Sequence, residues 1–322
     1  MNYQIKQIEY YLPDGIIDNE FLRKEYGFDP EFLKNKVGIE RRHVSGKNET
    51  TSDMAIKSAL KLFKESNIKK ESIDLLLLCT QNPDFTLPTT ACIVQHKLGL
   101  KNSCLAFDVN LGCSGFVYSL VIAGNFIKTG MISNALLIMA DQYTKTIDYK
   151  DRNTASIFGD AASSALITSC DEGFGVIDAV FGTDGSNADK LIVYNSGVNI
   201  NPDKSNFLFM DGREIFKFSI TVIPQSVNEL LSRNNLSVKD IKYFVFHQAN
   251  KYMLGEIQKK LNIHDSQMIV DMEDYGNTIA STIPIAYKNL CSQNKAKKND
   301  LIIFSGFGVG LSWGTILYRY NN

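Results

Sequence analysis

One order of apolar runs, polar strand ends and glycine turns occurs twice along this 322-residue chain, and that repetition limits the fold more than any other feature. Ile73-Asp74-Leu75-Leu76-Leu77-Leu78-Cys79-Thr80-Gln81-Asn82 aligns with Ile241-Lys242-Tyr243-Phe244-Val245-Phe246-His247-Gln248-Ala249-Asn250, each a buried strand running to a polar end and an asparagine. A helix follows each, ending at Lys97-Leu98-Gly99-Leu100 and at Lys260-Leu261-Asn262-Ile263. Segments 108–113 and 271–277 then read as short strands reaching Gly112 and Gly276, so that Cys113 and Asn277 stand directly after a glycine. Residues 135–139 match 300–304 as the next strand, and Phe158-Gly159 and Phe307-Gly308 are each expected to open a final strand. A period of about 165 residues is too long for a solenoid and reads as duplication of one βαβαβ unit.

Strands alternating with longer helices along the whole length argue for a layered α/β fold, divided here into halves 1–172 and 173–322. Two such units packed together bury their central helices between two sheets. The helix after Cys113 fits that place: Phe116, Val117, Tyr118, Leu120, Val121, Ile122, Ala123, Phe126 and Ile127 leave it almost no polar face, and a helix apolar all round must be enclosed by protein. The helix after Asn277, with Ile279, Ile283, Ile285, Ala286 and Tyr287, is its counterpart.

With 44% hydrophobic and 21% charged residues the chain can bury a large core, and a net charge of -1 gives no basic field to attract nucleic acid. The first thirteen residues lack the layout of a signal peptide, and runs such as 75–79 are too short to span a bilayer, so the expectation is a cytoplasmic protein without membrane association. The six cysteines (79, 92, 104, 113, 170 and 291) follow no C-x-x-C spacing, and buried free thiols are expected for most of them. No Walker lysine, Rossmann fingerprint or metal-spaced His/Cys/Glu cluster is present, so no metal or redox cofactor is expected.

Cys113 follows a strand and a glycine and starts a buried helix, a setting in which backbone N–H groups and the helix dipole favour thiolate. The other five cysteines read as structural. His247 ends a strand, at the carboxyl edge where a sheet opens toward a ligand crevice. Asn277 occupies in the second copy the position that Cys113 holds in the first, so both should point from facing helix starts into one cleft. An N-cap role for Asn277 is compatible with that placement. The turn Gly306-Phe307-Gly308-Val309-Gly310 permits close approach of backbone to a bound group.

Three segments, Asp108-Val109-Asn110-Leu111-Gly112-Cys113-Ser114-Gly115-Phe116, His247-Gln248-Ala249-Asn250 and Tyr275-Gly276-Asn277-Thr278, resemble the catalytic motifs of the β-ketoacyl-(acyl carrier protein) synthase III family. The resemblance runs over essentially the whole chain, through residues 37–43, 158–162, 211–216 and 312–314. It implies the thiolase fold, two duplicated βαβαβ halves in five αβαβα layers, and a homodimer. It also implies that Cys113 takes an acyl group from acyl-CoA, that backbone N–H groups of Cys113 and Val309 hold the oxyanion, and that His247 Nε2 and Asn277 donate to the malonyl thioester on carrier protein as carbon dioxide leaves.

By the same resemblance Phe32, Lys36, Arg152, Gly212, Phe216 and Asn250 would bind CoA. Arg213, Lys217 and Lys251 would meet the carrier protein, and Leu87 would form the acyl-pocket wall of the neighbouring subunit. Phe32 and Lys36 stand where the family commonly has tryptophan and arginine, which weakens planar stacking. Leu87 replaces a bulky phenylalanine, which would admit a longer or branched primer. Lys251-Tyr252 follows the His-Gln-Ala-Asn motif where an arginine is usual, and Val309 replaces a glycine. These departures also fit a relative serving a polyketide, secondary-metabolite or surface-glycan pathway. A non-catalytic acyl-CoA-binding module and a cysteine hydrolase are the remaining readings.

Overall fold

The computed structural model describes residues 2–321. The first half supplies β1 (Asn2–Tyr11), α1 (Thr51–Ser66), β2 (Leu75–Cys79), α2 (Thr90–Leu98), β3 (Leu105–Val109), α3 (Gly115–Lys128), β4 (Asn134–Asp141) and β5 (Ala161–Cys170). The second supplies β6 (Gly175–Thr183), α4 (Gly212–Arg233), β7 (Tyr243–Phe246), α5 (Lys251–Leu261), α6 (Thr282–Ser292), β8 (Leu301–Gly308) and β9 (Ser312–Arg319). The sheets run β1-β5-β4-β2-β3 and β6-β9-β8-β7, so the strand order of the first half is repeated in the second. The β2/β3, β2/β4 and β7/β8 pairs are parallel; the β1/β5, β4/β5, β8/β9 and β6/β9 pairs are antiparallel.

Strand alternation builds the layers. Leu75, Leu77 and Cys79 of β2 join α3 in a central cluster, while Leu76 and Leu78 pack outward with Met54, Leu62, Val94 and Leu98 of α1 and α2. In β8, Ile302 and Phe304 face the same central cluster, whereas Ile303 packs with Ile223, Val227 and Leu254 of α4 and α5. The middle layer is shared between the halves: the ring of Phe304 lies 6.1 Å from Phe116, 5.0 Å from Tyr287 and 5.5 Å from Tyr318. Phe304→Ala is expected to cost about 3–5 kcal/mol, through lost burial and the cavity left among these rings, read as a lowered urea midpoint.

Three strand expectations are corrected. Segment 108–113 is a strand only to Val109, after which Gly115 N–H donates to the Gly112 carbonyl at 2.7 Å and the chain turns. Segment 271–277 forms turns, and the counterpart of β3 is reduced to one bridge between Phe244 and Met268. The Gln248 side chain takes up backbone groups there, donating to the Ile269 carbonyl at 3.2 Å and accepting from Asp271 N–H at 2.8 Å. Phe307-Gly308 closes β8 instead of opening a strand, because Gly308 pairs with Ser312 at the end of the β8/β9 hairpin. Cys79, Cys104 and Cys113 are buried, Cys170 and Cys291 half-buried and Cys92 exposed, all as free thiols.

Candidate active site

Cys113 lies between β3 and α3, 7% exposed. A Cβ on Gly308 would sit 3.0 Å from the Cys113 Cβ and 3.1 Å from its Sγ, and one on Gly306 would sit 2.7 Å from the Cys113 carbonyl oxygen. The close approach of β8 to the nucleophile's turn therefore needs glycine at both places. Neither Cys113 N–H nor Val309 N–H is bonded to a backbone carbonyl among the described residues, which leaves both able to receive an oxyanion. Burial, followed by the nearby Asp141 carboxyl, pushes the Cys113 thiol well above its ordinary value. Burial thus opposes the thiolate that the helix start favours. Asp141, itself pushed up to about 8 by burial, is mostly neutral at pH 7.

His247 leaves β7 with its N–H on the Ser305 carbonyl at 2.8 Å and its ring edge-on to Phe307 at 5.5 Å. Asn277 is clamped by the other half, its N–H donating to the Ile157 carbonyl at 2.8 Å and its carbonyl accepting from Gly159 N–H at 3.1 Å. Gly276, at φ +76°, makes the turn that delivers it. The Asn277 Oδ1 accepts from Ile279 N–H at 3.0 Å. Asn277 is not the helix N-cap expected of it, because Thr278 and Ser281 stand at the starts of the following turn and helix; its bond two residues ahead turns Nδ2 toward His247 Nε2, 3.4 Å away.

Burial lowers the His247 pKa to about 3 from 6.5. As pH falls below about 6.5 the unfolded chain takes a proton that the folded one refuses, so folding stability declines toward acid. Urea unfolding of wild type and His247→Gln at about pH 7.5 and about pH 5 should show wild type losing stability relative to the variant at the lower pH.

Cys113, His247, Asn277 and Phe307 line the buried end of a cleft of about 440 Å³. Phe32, Lys36, Gly212, Arg213, Phe216 and Asn250 line the same cleft. Asn250 also caps α5, its Oδ1 accepting from Met253 N–H at 2.8 Å. The Arg152 guanidinium stands 5.2 Å over the Phe32 ring. Lys217 and Lys251 are exposed and outside the lining, and Leu87, 84% exposed, is also outside it. Tyr252 belongs to the cleft although sequence reasoning gave it no site role: it stacks on Phe216 at 5.3 Å under Lys36 Nζ at 3.7 Å from its centroid. Its place directly after Lys251, where the motif departs from its usual form, was the available signal.

Family models described as 3-oxoacyl-(acyl-carrier-protein) synthase III and its C-terminal part match residues 107–185 and 231–320. A β-ketoacyl-(acyl-carrier-protein) synthase III of Clostridium perfringens is 38% identical over 315 residues, covering 96% of each chain. That of Clostridium novyi is 38% identical over 326 residues and 99% of each. The crystal structure of the Aquifex aeolicus synthase III superposes with TM-score 0.92 at 33% identity, over 99% of this chain and all of that one. Together with the duplicated sheets and the cleft where their motifs meet, these likenesses place the chain in the β-ketoacyl-(acyl carrier protein) synthase III family of thiolase-fold acyltransferases.

Proposed function

We propose that the protein initiates fatty acid synthesis by decarboxylative condensation of an acyl-CoA primer with malonyl carrier protein. The observation that carries this reading is the convergence of Cys113, His247 and Asn277 at the closed end of one cleft, with the N–H groups of Cys113 and Val309 bonded to no backbone carbonyl among the described residues. Cys113 sulfur attacks the acyl-CoA carbonyl and gives up its thiol proton; the charge that develops on the carbonyl oxygen is held by the N–H groups of Cys113 and Val309; CoA leaves as the thiol, taking up that proton, and the acyl-enzyme remains. One such oxyanion donor is worth about 3 kcal/mol. The malonyl thioester then enters the emptied cleft with its carbonyl toward His247 Nε2 and Asn277 Nδ2. Loss of carbon dioxide leaves an enolate that these two groups hold; its carbon attacks the acyl-Cys113 carbonyl, the carbon–sulfur bond breaks, and Cys113 leaves as thiolate and regains a proton as the β-ketoacyl product departs.

Phe32, Lys36, Arg152, Gly212, Phe216 and Asn250 are assigned to the CoA moiety, and Arg213, Lys217 and Lys251 to an acidic carrier-protein surface. Arg152 against Phe32 narrows the slot that a stacked base would enter, so that pair must part when a nucleotide binds. A homodimer is supported by β3, an edge strand whose Leu105 is 42% exposed, since an open apolar edge calls for cover. In that dimer Leu87 would reach the partner's acyl pocket. Sedimentation of a monomer at micromolar concentration would remove this part of the reading. No helix among the described residues is long and apolar enough to cross a membrane, which agrees with action in the cytoplasm. The deciding experiment is mass spectrometry after acetyl-CoA addition, then product analysis with malonyl carrier protein. An unacylated Cys113 with full condensing activity would refute the mechanism.

A further inference from the structure

His247 and Asn277 are joined by a closed ring of contacts buried from solvent. Ile279 N–H donates to Asn277 Oδ1 at 3.0 Å, and Asn277 Nδ2 faces His247 Nε2 at 3.4 Å. His247 Nδ1 meets Thr282 Oγ1 at 2.8 Å, and the Thr282 hydroxyl reaches the Ile279 carbonyl at 2.9 Å. Ile279, His247, Thr282 and Asn277 are 0%, 2%, 3% and 4% exposed. Ile279 has φ +54°, a left-handed conformation that a β-branched residue adopts only under constraint. That strained backbone presents its N–H to one partner and its carbonyl to the other, so both ends of the ring hang on it.

The direction of the ring assigns the proton. The Ile279 carbonyl, which also accepts directly from the His247 ring, can only accept, so the Thr282 hydroxyl donates to it, and Thr282 Oγ1 is left to accept from Nδ1–H. Nε2 then carries the lone pair and accepts from Asn277, and all four bonds run one way. A thioester carbonyl between Nε2 and Nδ2 needs donors on both sides. The Thr282 hydroxyl can meet that need, because it turns from the Ile279 carbonyl to donate to a bare Nδ1 at the same separation. One proton leaves Nδ1 and one arrives at Nε2, exchanged with water, so the ring stays neutral and in place.

We propose that Thr282 is a positioning residue whose hydroxyl lets His247 carry its proton on Nδ1 in the free enzyme and on Nε2 once a thioester carbonyl is bound. This rests on the condensation assigned above. The test uses the whole protein labelled with nitrogen-15 at histidine, with a pantetheine thioester bearing sulfonate in place of the malonyl carboxylate, which cannot release carbon dioxide. Free wild type should show a protonated Nδ1 and an unprotonated Nε2 at His247, and the analogue should reverse the two. Thr282→Val, which offers neither a donor nor an acceptor, should lower kcat of condensation at least about tenfold, the size of one buried hydrogen bond. Its Cys113 acylation and its KM for malonyl thioester should stay within about threefold of wild type, and Thr282→Ser should restore kcat. A proton on Nε2 in the free wild-type enzyme, no reversal with the analogue, or a Thr282→Val enzyme condensing within about threefold of wild type would overturn the proposal. Failure of the condensation reading itself would show separately, as an unacylated Cys113.

Discussion

Cys113→Ala protein is expected to form no acyl-enzyme and to lose condensation by more than about 10⁴-fold, the scale on which an enzyme loses its nucleophile. It should nevertheless still release carbon dioxide slowly from malonyl thioester. The reason is spatial: His247 and Asn277 are held by Thr282, Ile279 and the 157–159 segment, none of which depends on the Cys113 sulfur. Removing one thiol leaves that carbonyl-binding pair intact. The variant should also fold normally, since alanine leaves only the small space of a sulfur next to Gly308. Intact-mass measurement after acetyl-CoA, together with labelled carbon dioxide release from malonyl thioester, checks both halves. Wild-type condensation in the variant would move the nucleophile elsewhere.

Asn277→Ala should show the opposite division. Acylation of Cys113 should persist within a few fold, while condensation falls by about 10² to 10³, the cost of one preorganised donor at a developing oxyanion. The same change removes the acceptor from the buried Ile279 N–H, which costs about 1–3 kcal/mol of stability and is too little to unfold a core of this size. Rapid-quench measurement of acyl-enzyme formation beside steady-state turnover separates the two steps. Equal loss in both would mean that Asn277 shapes the cleft as a whole instead of serving the second thioester.

These contrasts mark what the sequence makes legible. The layers were readable because the same strand order occurs twice and because β2 and β8 are apolar on both faces, as strands covered on both sides must be. Cys113 and Asn277 stood out because each follows the glycine at an equivalent point of its copy. The second copy departs from the first at residues 271–277, where a strand was expected and turns are found. Pattern could not reveal this, because Gln248 acts on that backbone through a side chain 23 residues away in sequence. Thr282 and Ile279 were hidden for another reason. A left-handed isoleucine has no local signature, and one threonine at a helix start looks like any other. The burial that opposes thiolate at Cys113 was also out of reach, since a dipole argument reads from the sequence while desolvation depends on what encloses the sulfur.

The aromatic cluster around Phe304 has a thermodynamic consequence. Phe116 comes from one copy of the repeat, and Tyr287, Phe304 and Tyr318 from the other, so severing the chain between the copies would strip each piece of an inner wall. What began as two equivalent stretches of polypeptide should therefore melt as a single calorimetric unit. Neither copy is then expected to fold as an autonomous domain, and an excised half should present bare aromatic surface to water and aggregate.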